Sequence, residues 1–495
     1  MNLSHEQQAA IADAAQRKRV IAPAGSGKTR LLVAQAIRWI ADGATPETMV
    51  VITFTRRAGE ELRKRIGTEY GGRLGYIGTV HGLAYTALSV ACEGRYRLMP
   101  LTDEECEAVV EHVAAECRCT SAVCPKVLKS ICGESVHGLK PAQAALVEQV
   151  RGYMLRNGLC HVGDLVRRFV RLLHQEPDLL SWVRGHVRTA LWDEYQDTTS
   201  DQAELLGLME PERSLVVGDP RQAIYQFAGA SEDHLWNREA SRHQLTTNYR
   251  SGSAIVSRAN NLQATAGASM VAFRTDPGTV RSAVWTSDPA FETVNLLQDL
   301  VLSGNRPTVL ARTNWEVARI RDLACGAGLR VKAASPDFDP WSREPWPSLY
   351  LAARHLCDPG CQWLSSHVRR LGVTDTRLWG LDPTRDTAGS LLLGLPLDWT
   401  MGTGDGEEKL DLTIRDFVGW YGRRDMSDLL EGTDDCDAVV MTAHASKGLE
   451  FDCVVLHDVG GLLGGKPGQD ERNLLYVAAS RARDVLVMVC REGWK

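Results

Sequence analysis

Ala22-Pro23-Ala24-Gly25-Ser26-Gly27-Lys28-Thr29 is the stretch that decides the fold of this 495-residue chain. A short apolar run at 19–21 precedes it and an amphipathic run at 30–40 follows it. Strand, glycine loop and helix in that order are the setting a P-loop requires. Glycines let backbone N–H groups approach phosphate oxygens, and the helix N-terminus adds partial positive charge. On this reading the backbone from Ala22 through Pro23, Ala24, Gly25, Ser26 and Gly27 cradles ATP. Lys28 neutralises the β- and γ-phosphates and Thr29 holds Mg2+. Ala22 stands where the generic pattern has glycine.

Working outward, further β-branched runs at 49–53, 189–193, 214–218, 308–311, 439–442 and 453–456 are each followed by glycine, a turn residue or a helical pattern. Such runs read as buried parallel strands that carry ligand groups at their carboxyl ends. The expected class is α/β with parallel sheets. Two stretches break the rhythm: 91–187, helix-like and rich in Glu, Ala, Arg and Leu, and 336–435, rich in Pro, Trp, Gly and Asp. Both read as insertions, and 402–408 reads as a solvent loop. The run ending at 193 continues as Asp193-Glu194-Tyr195-Gln196-Asp197. A carboxylate at a strand end can hold Mg2+, and its neighbour can orient and deprotonate an attacking water, so Asp193 takes the metal role and Glu194 the general-base role. Phosphoryl transfer also needs positive charge on the γ-phosphate, for which Arg250 and Arg481 are the candidates.

Length allows three or four domains. With 44% hydrophobic and 24% charged residues the composition is that of a globular protein, and a net charge of −6 excludes a binder that holds nucleic acid by overall charge. Any DNA contact must be confined to a groove. The amino terminus lacks the basic and apolar regions of a signal peptide, and no apolar run is long enough to span a bilayer. A cytoplasmic location and no membrane partner are therefore expected. Thirteen cysteines then sit in a reducing compartment. Cys117, Cys119, Cys124 and Cys132 lie close together, but their spacing is not a paired CxxC pattern and no histidine stands suitably beside them. They read as small buried residues or exposed thiols, as do Cys357 and Cys361.

Taken together, the motifs resemble those of the UvrD/Rep/PcrA group of superfamily 1 helicases, in order and over most of the chain. Leu3-Ser4-His5-Glu6-Gln7 resembles the Q motif; Thr53-Phe54-Thr55-Arg56-Arg57-Ala58 with Glu60-Glu61-Leu62, motif Ia; Gly78-Thr79-Val80-His81-Gly82, motif Ib. The Asp193–Asp197 segment is similar to the family's DExxQD motif II, and Gly218-Asp219-Pro220-Arg221-Gln222-Ala223-Ile224-Tyr225-Gln226-Phe227 to motif III. Asn248-Tyr249-Arg250-Ser251 looks like motif IV, Ala311-Arg312-Thr313-Asn314 like the short motif after it, and His444-Ala445-Ser446-Lys447-Gly448-Leu449-Glu450-Phe451 like motif V. Glu471-Arg472-Asn473-Leu474-Leu475-Tyr476-Val477-Ala478-Ala479-Ser480-Arg481-Ala482 resembles motif VI.

The resemblance implies two RecA-like P-loop cores with ATP between them, each core carrying an inserted, mainly helical subdomain. Residues 1–90 with 188–240 form the first core and 241–335 with 436–495 the second; 91–187 and 336–435 are the insertions. It further implies that Gln7 reads adenine, that Tyr249 and Arg30 pack near it, that Glu450 lies near the ribose, and that Gln222 senses the γ-phosphate. Arg250 and Arg481 complete the site when the cleft closes. DNA crosses both cores, with Phe54, Tyr225 and Phe227 contacting bases and Thr55, Thr79, His81, Arg312, His444 and Lys447 among the other DNA contacts. The implied activity is 3′-to-5′ translocation and unwinding of single-stranded DNA and its junctions with duplex, in repair, replication or recombination; the form of motif V favours this polarity. The family commonly has Trp-Arg where this chain has Phe227-Ala228, which keeps stacking and loses one positive contact. The second insertion is also shorter than in long housekeeping members, which argues against strong processive unwinding. A second reading fits the compact length: a nucleotide-gated DNA sensor that activates a partner nuclease in anti-phage defence, of the Gabija kind. A nuclease-fused recombination enzyme fits less well, because the motif series reaches Ala482 and leaves little chain beyond it.

Overall fold

A computed structural model describes residues 3–91, 98–132, 136–262, 269–335, 339, 341, 343, 345–358, 361–371, 381–395, 407–424, 436–463 and 468–492. The chain divides into two compact units: Met1–Leu83, Val170–Phe338 and Leu429–Lys495 in one, Ala84–Phe169 and Asp339–Asp428 in the other.

The first unit holds two six-stranded sheets. One is built from β1 (Arg17–Ile21), β2 (Met49–Ile52), β3 (Tyr76–Gly78), β4 (Thr189–Trp192), β5 (Arg213–Gly218) and β6 (Ser241–Gln244). Its order is β3-β2-β4-β5-β1-β6, with every pairing parallel. The other contains β7 (Thr279–Trp285), β8 (Pro307–Ala311), β9 (Val331–Ala334), β10 (Ala438–Thr442), β11 (Phe451–Leu456) and β12 (Ala482–Arg491). Its order is β7-β12-β11-β8-β10-β9, again parallel throughout. The fold is thus α/β with two RecA-like sheets. The inner strands β2, β4 and β8 are buried along their whole length, because helices cover both faces of a parallel sheet. The edge strand β6, Ser-Arg-His-Gln, alternates between half-buried and exposed positions.

Helices pack by the same logic. Helix Lys28–Ala41 buries Leu31, Leu32 and Ala36 in the first sheet's apolar cluster, together with Val20, Val51, Leu191, Leu215 and Val217 from the strands. Helix Arg56–Tyr70 starts at Thr55, whose hydroxyl accepts the Ala58 N–H, a cap worth about 1 kcal/mol. It stops at Gly71, which takes a left-handed φ of 77°.

In the second unit both insertions contribute to one apolar cluster. Val109, Val113 and Val150 come from the first insertion, and Leu349, Trp363 and Phe417 from the second. A two-stranded parallel ladder pairs Met99–Leu101 with Leu159–His161. Residues 170–187, read from the sequence as insertion, group with the sheets instead. Of the expected loop at 402–408, residues 402–406 lie outside the described residues. No described helix is long and apolar enough to cross a membrane.

A nucleotide pocket between two parallel sheets and its aromatic face

The P-loop connects β1 to helix Lys28–Ala41. Gly25 and Gly27 both adopt left-handed backbone, at φ 68° and 81°. A Cβ at Gly25 would lie 2.8 Å from Arg250 Cβ and 2.8 Å from Asn248 Nδ2, and one at Gly27 would lie 2.8 Å from Gln7 Nε2. Glycine is needed at both positions for conformation and for space. Gln7, buried, donates through Nε2 to the Ser26 carbonyl at 3.1 Å, while its Oε1 accepts the Ser4 N–H. From the far side Asn248 Nδ2 donates to the Ala24 carbonyl at 2.8 Å, and the Tyr249 N–H to the Gly25 carbonyl at 2.8 Å. The loop is therefore clasped by the helix His5–Ala12 on one side and by the 248–249 segment on the other.

Behind the loop lies a chain of polar contacts. Lys28 Nζ pairs with Glu194 Oε1 at 3.0 Å. Gln196 Nε2 donates to Glu194 Oε2 at 2.7 Å and to Asp197 Oδ2 at 3.0 Å, while its Oε1 accepts the Asp219 N–H. Asp219, fully buried, accepts from Arg221, from Gln222 Nε2 at 2.9 Å and from the Tyr476 hydroxyl at 3.1 Å. Gln222 Oε1 accepts from Arg481 Nη2 at 3.2 Å. Burial pushes the Glu194 carboxyl upward, but the Lys28 and Lys447 ammonium groups outweigh it and hold it down to about 2. Burial, with the Glu194 charge beside it, pushes Asp193 up to about 7. Two adjacent carboxylates in a desolvated site carry more negative charge than the site supports, and a cation relieves it. The Asp193 carboxylate and the Thr29 hydroxyl offer hard oxygen donors at the strand end and helix start, a set that fits Mg2+.

The second sheet supplies the opposite wall. Arg481 is 2% exposed and donates to the Val477 and Leu449 carbonyls and to Ser480 Oγ as well as to Gln222. Burial, and Arg250 nearby, pull its guanidinium below the usual value. Arg250 pairs with Glu450 at 2.8 Å and donates to the Ser480 carbonyl at 3.1 Å. Helix Gln469–Ala479 seats Asn473 Nδ2 on the Ala223 carbonyl at 2.9 Å. The Tyr249 ring lies 5.0 Å from that of exposed Phe273, beside the P-loop. Arg30 is exposed on the first turn of its helix.

On the exposed side, Phe54 (46% exposed) stacks on Tyr225 with centroids 4.9 Å apart, and Phe227 (77% exposed) lies 6.1 Å from Tyr225. His444 from the second sheet meets Phe227 edge-on at 5.9 Å, so one row of rings carries side chains from both sheets. Thr55 and Thr79 cap helix starts through their hydroxyls, Thr79 accepting the Gly82 N–H at 3.2 Å. His81, one residue into the helix Val80–Val90, is half-buried.

Two of the residues expected on DNA have partners within the protein. Lys447 has a side chain only 5% exposed; its ammonium pairs with Asp197 and donates to the Gln222 carbonyl at 2.6 Å, lying 4.9 Å from the Tyr225 ring centroid. It sits beneath the rings, joining the second sheet's loop to the first sheet's. Arg312 donates to the Leu462 carbonyl at 2.7 Å and pairs with Glu471 at 3.3 Å. Conversely, the site-residue roles assigned from sequence omitted Gln196, Asp219, Asn248, Asn473 and Tyr476. All five lie within motif segments, but their work depends on which loops meet in space.

Comparison with known proteins follows the same lines. DNA helicase II of Escherichia coli is 29% identical over 289 residues, covering 53% of this chain and 40% of that protein. ATP-dependent DNA helicase PcrA of Staphylococcus epidermidis is 25% identical over 291 residues, covering 53% of this chain and 40% of that protein. ATP-dependent DNA helicase UvrD2 of Mycobacterium tuberculosis is 24% identical over 566 aligned residues, covering 98% of this chain and 79% of that protein. The chain thus matches less than half the length of DNA helicase II and of PcrA. The family model for the UvrD/REP helicase N-terminal domain matches residues 3–242, and that for the UvrD-like helicase C-terminal domain matches residues 437–489. Those two regions cover more than half of the sequence and hold nearly all of the nucleotide pocket: the chain belongs to the UvrD-like helicase family.

Proposed function

We propose that the chain is an ATP-dependent translocase and helicase on single-stranded DNA, moving 3′ to 5′, with ATP hydrolysed between the two sheets. The observation that carries this reading is Gln222. Its amide donates to Asp219 of the first sheet's loop and accepts from Arg481, which precedes β12 of the second. A rearrangement at the γ-phosphate then has a direct route to the second sheet.

Each chemical role follows from charge and position. Lys28 exchanging Glu194 for phosphate oxygens frees the Glu194 carboxylate; with its cationic partner gone, that carboxylate becomes basic enough to take a proton from water. Thr29 and Asp193 would hold Mg2+, which would supply charge neutralisation for the phosphates. Arg481 and Arg250 stabilise charge on the transferred phosphoryl group, and Gln222 couples its presence to their position. Gln7 fixes the loop and, with Tyr249, Arg30 and Glu450, borders the base and ribose. Alternating closure of the cleft moves the strand along the aromatic row, whose stacking is independent of sequence.

ATP hydrolysis measured with and without single-stranded DNA tests the proposal, with Glu194→Gln as the control. Stimulation by DNA that disappears in the variant is the expected result. Hydrolysis indifferent to DNA would overturn translocation, and strand displacement on tailed duplexes of each polarity then tests direction.

A further inference from the structure

The second unit contains a side-chain cluster with no part in nucleotide or DNA chemistry. Asp103 opens the helix Asp103–Glu116, and Cys106 follows it one turn later. Cys132 caps the end of helix Pro125–Ile131, and His161 ends the strand Leu159–His161, paired in register with Leu101 two residues before Asp103. Three separate segments thereby deliver their side chains to one point. One ligand-type atom each from Asp103, Cys132 and His161 lies within 4.8 Å of the others. His161 Nε2 is 2.9 Å from Asp103 Oδ1, a contact that metal ligation through Nε2 would replace, and His161 Nδ1 accepts the Gly163 N–H at 3.1 Å. The fully buried Cys106 lies near Cys132.

We infer that Asp103, Cys132 and His161 form a binding site for a divalent transition metal, Zn2+ above all, in the helical unit. One sulfur, one imidazole and one carboxylate are a zinc-type donor set, and a water can complete tetrahedral ligation. A thiol pair serving only redox exchange gains nothing from the carboxylate, whose charge opposes thiolate formation. A cation uses all three of Asp103, Cys132 and His161. The metal would tie the two-stranded ladder to two helix ends, adding binding free energy to folding.

The test uses the full chain. Metal content of the purified protein is expected to be about one zinc per chain. Chelator-treated protein titrated with Co2+ should show a thiolate-to-cobalt charge-transfer band and the intense visible bands of tetrahedral cobalt. Cys132→Ser and His161→Gln should each weaken uptake at least ~10-fold, whereas Cys117→Ser, at an exposed cysteine outside the cluster, should leave it unchanged. If either variant fails to fold, Asp103→Asn replaces it, and the wild-type cobalt spectrum reports sulfur ligation by itself. The inference is overturned by no saturable uptake, by uptake without the thiolate band, by uptake indifferent to these substitutions, or by a Cys106–Cys132 disulfide in metal-free isolated protein. None of these readouts depends on ATP or DNA.

Discussion

Gln222 is flanked by a carboxylate it donates to and a guanidinium it accepts from, all three of them buried. Gln222→Ala leaves Asp219 one donor short and Arg481 one acceptor short in a desolvated site, where each lost partner is expensive. Turnover of DNA-stimulated ATP hydrolysis is expected to fall roughly 10²-fold, the scale found when one preorganised donor to a transition state is removed. The KM for ATP should change much less, because Lys28 and the loop remain; steady-state kinetics separates the two. A comparable fall in affinity with turnover intact would mean that Gln222 only shapes the pocket. At this scale the sequence was informative where chemistry constrains residue type: Lys28, Thr29, Asp193 and Glu194 could be named from spacing. It was uninformative for Lys447, since a lysine in a loop motif reads equally well as a phosphate contact or as the partner of Asp197. Only the meeting of two distant loops brings Lys447 to Asp197. The same is true of Cys132, whose companions Cys106 and His161 are brought to it by a helix end and a strand register.

Among elements, most runs that became inner strands were legible because both faces are buried and the residues are largely apolar, but the inner strand β12 was not read from the sequence. Nor were the edge strands. β6 is Ser-Arg-His-Gln, β3 has three residues, and β7 alternates half-buried with exposed positions, so each owes its place to a neighbour's backbone and not to its own hydrophobicity. β6 is held from outside by the turn after helix His5–Ala12. The Ser241 hydroxyl, the Ala15 N–H and His243 all hydrogen-bond Asp13 and hold its carboxyl well below the ordinary carboxylate range. A carboxyl depressed in the folded state stabilises it fully above the unfolded value, near 4, and loses that contribution as pH falls below it. Asp13→Asn should therefore lower the melting temperature by roughly 1–2 °C at pH 6, with the gap to the parent beginning to narrow as pH falls below about 4. Thermal unfolding across that range checks it; a gap independent of pH would assign the effect to packing.

In the unit that carries both sheets, the row of rings is continuous only because loops of the two sheets meet: Phe54, Tyr225 and Phe227 come from one and His444 from the other. Phe227→Ala is expected to weaken single-stranded DNA binding by about 1–3 kcal/mol, seen as a roughly fivefold or larger rise in the DNA concentration giving half-maximal stimulation of hydrolysis at fixed salt. An unchanged concentration would remove Phe227 from the DNA path. The order of the second sheet has another result, in the time of synthesis. β7 is made first, yet its neighbour in the sheet is β12, which ends at Arg491 and leaves the ribosome about 200 residues later. At roughly 5–20 residues per second, β7 waits with an open edge for tens of seconds, and β11 for a shorter time, until β12 is made. Early termination that removes only β12 therefore deletes the seam of the sheet, and nascent chains of this protein are natural clients for chaperones that shield unpaired strands.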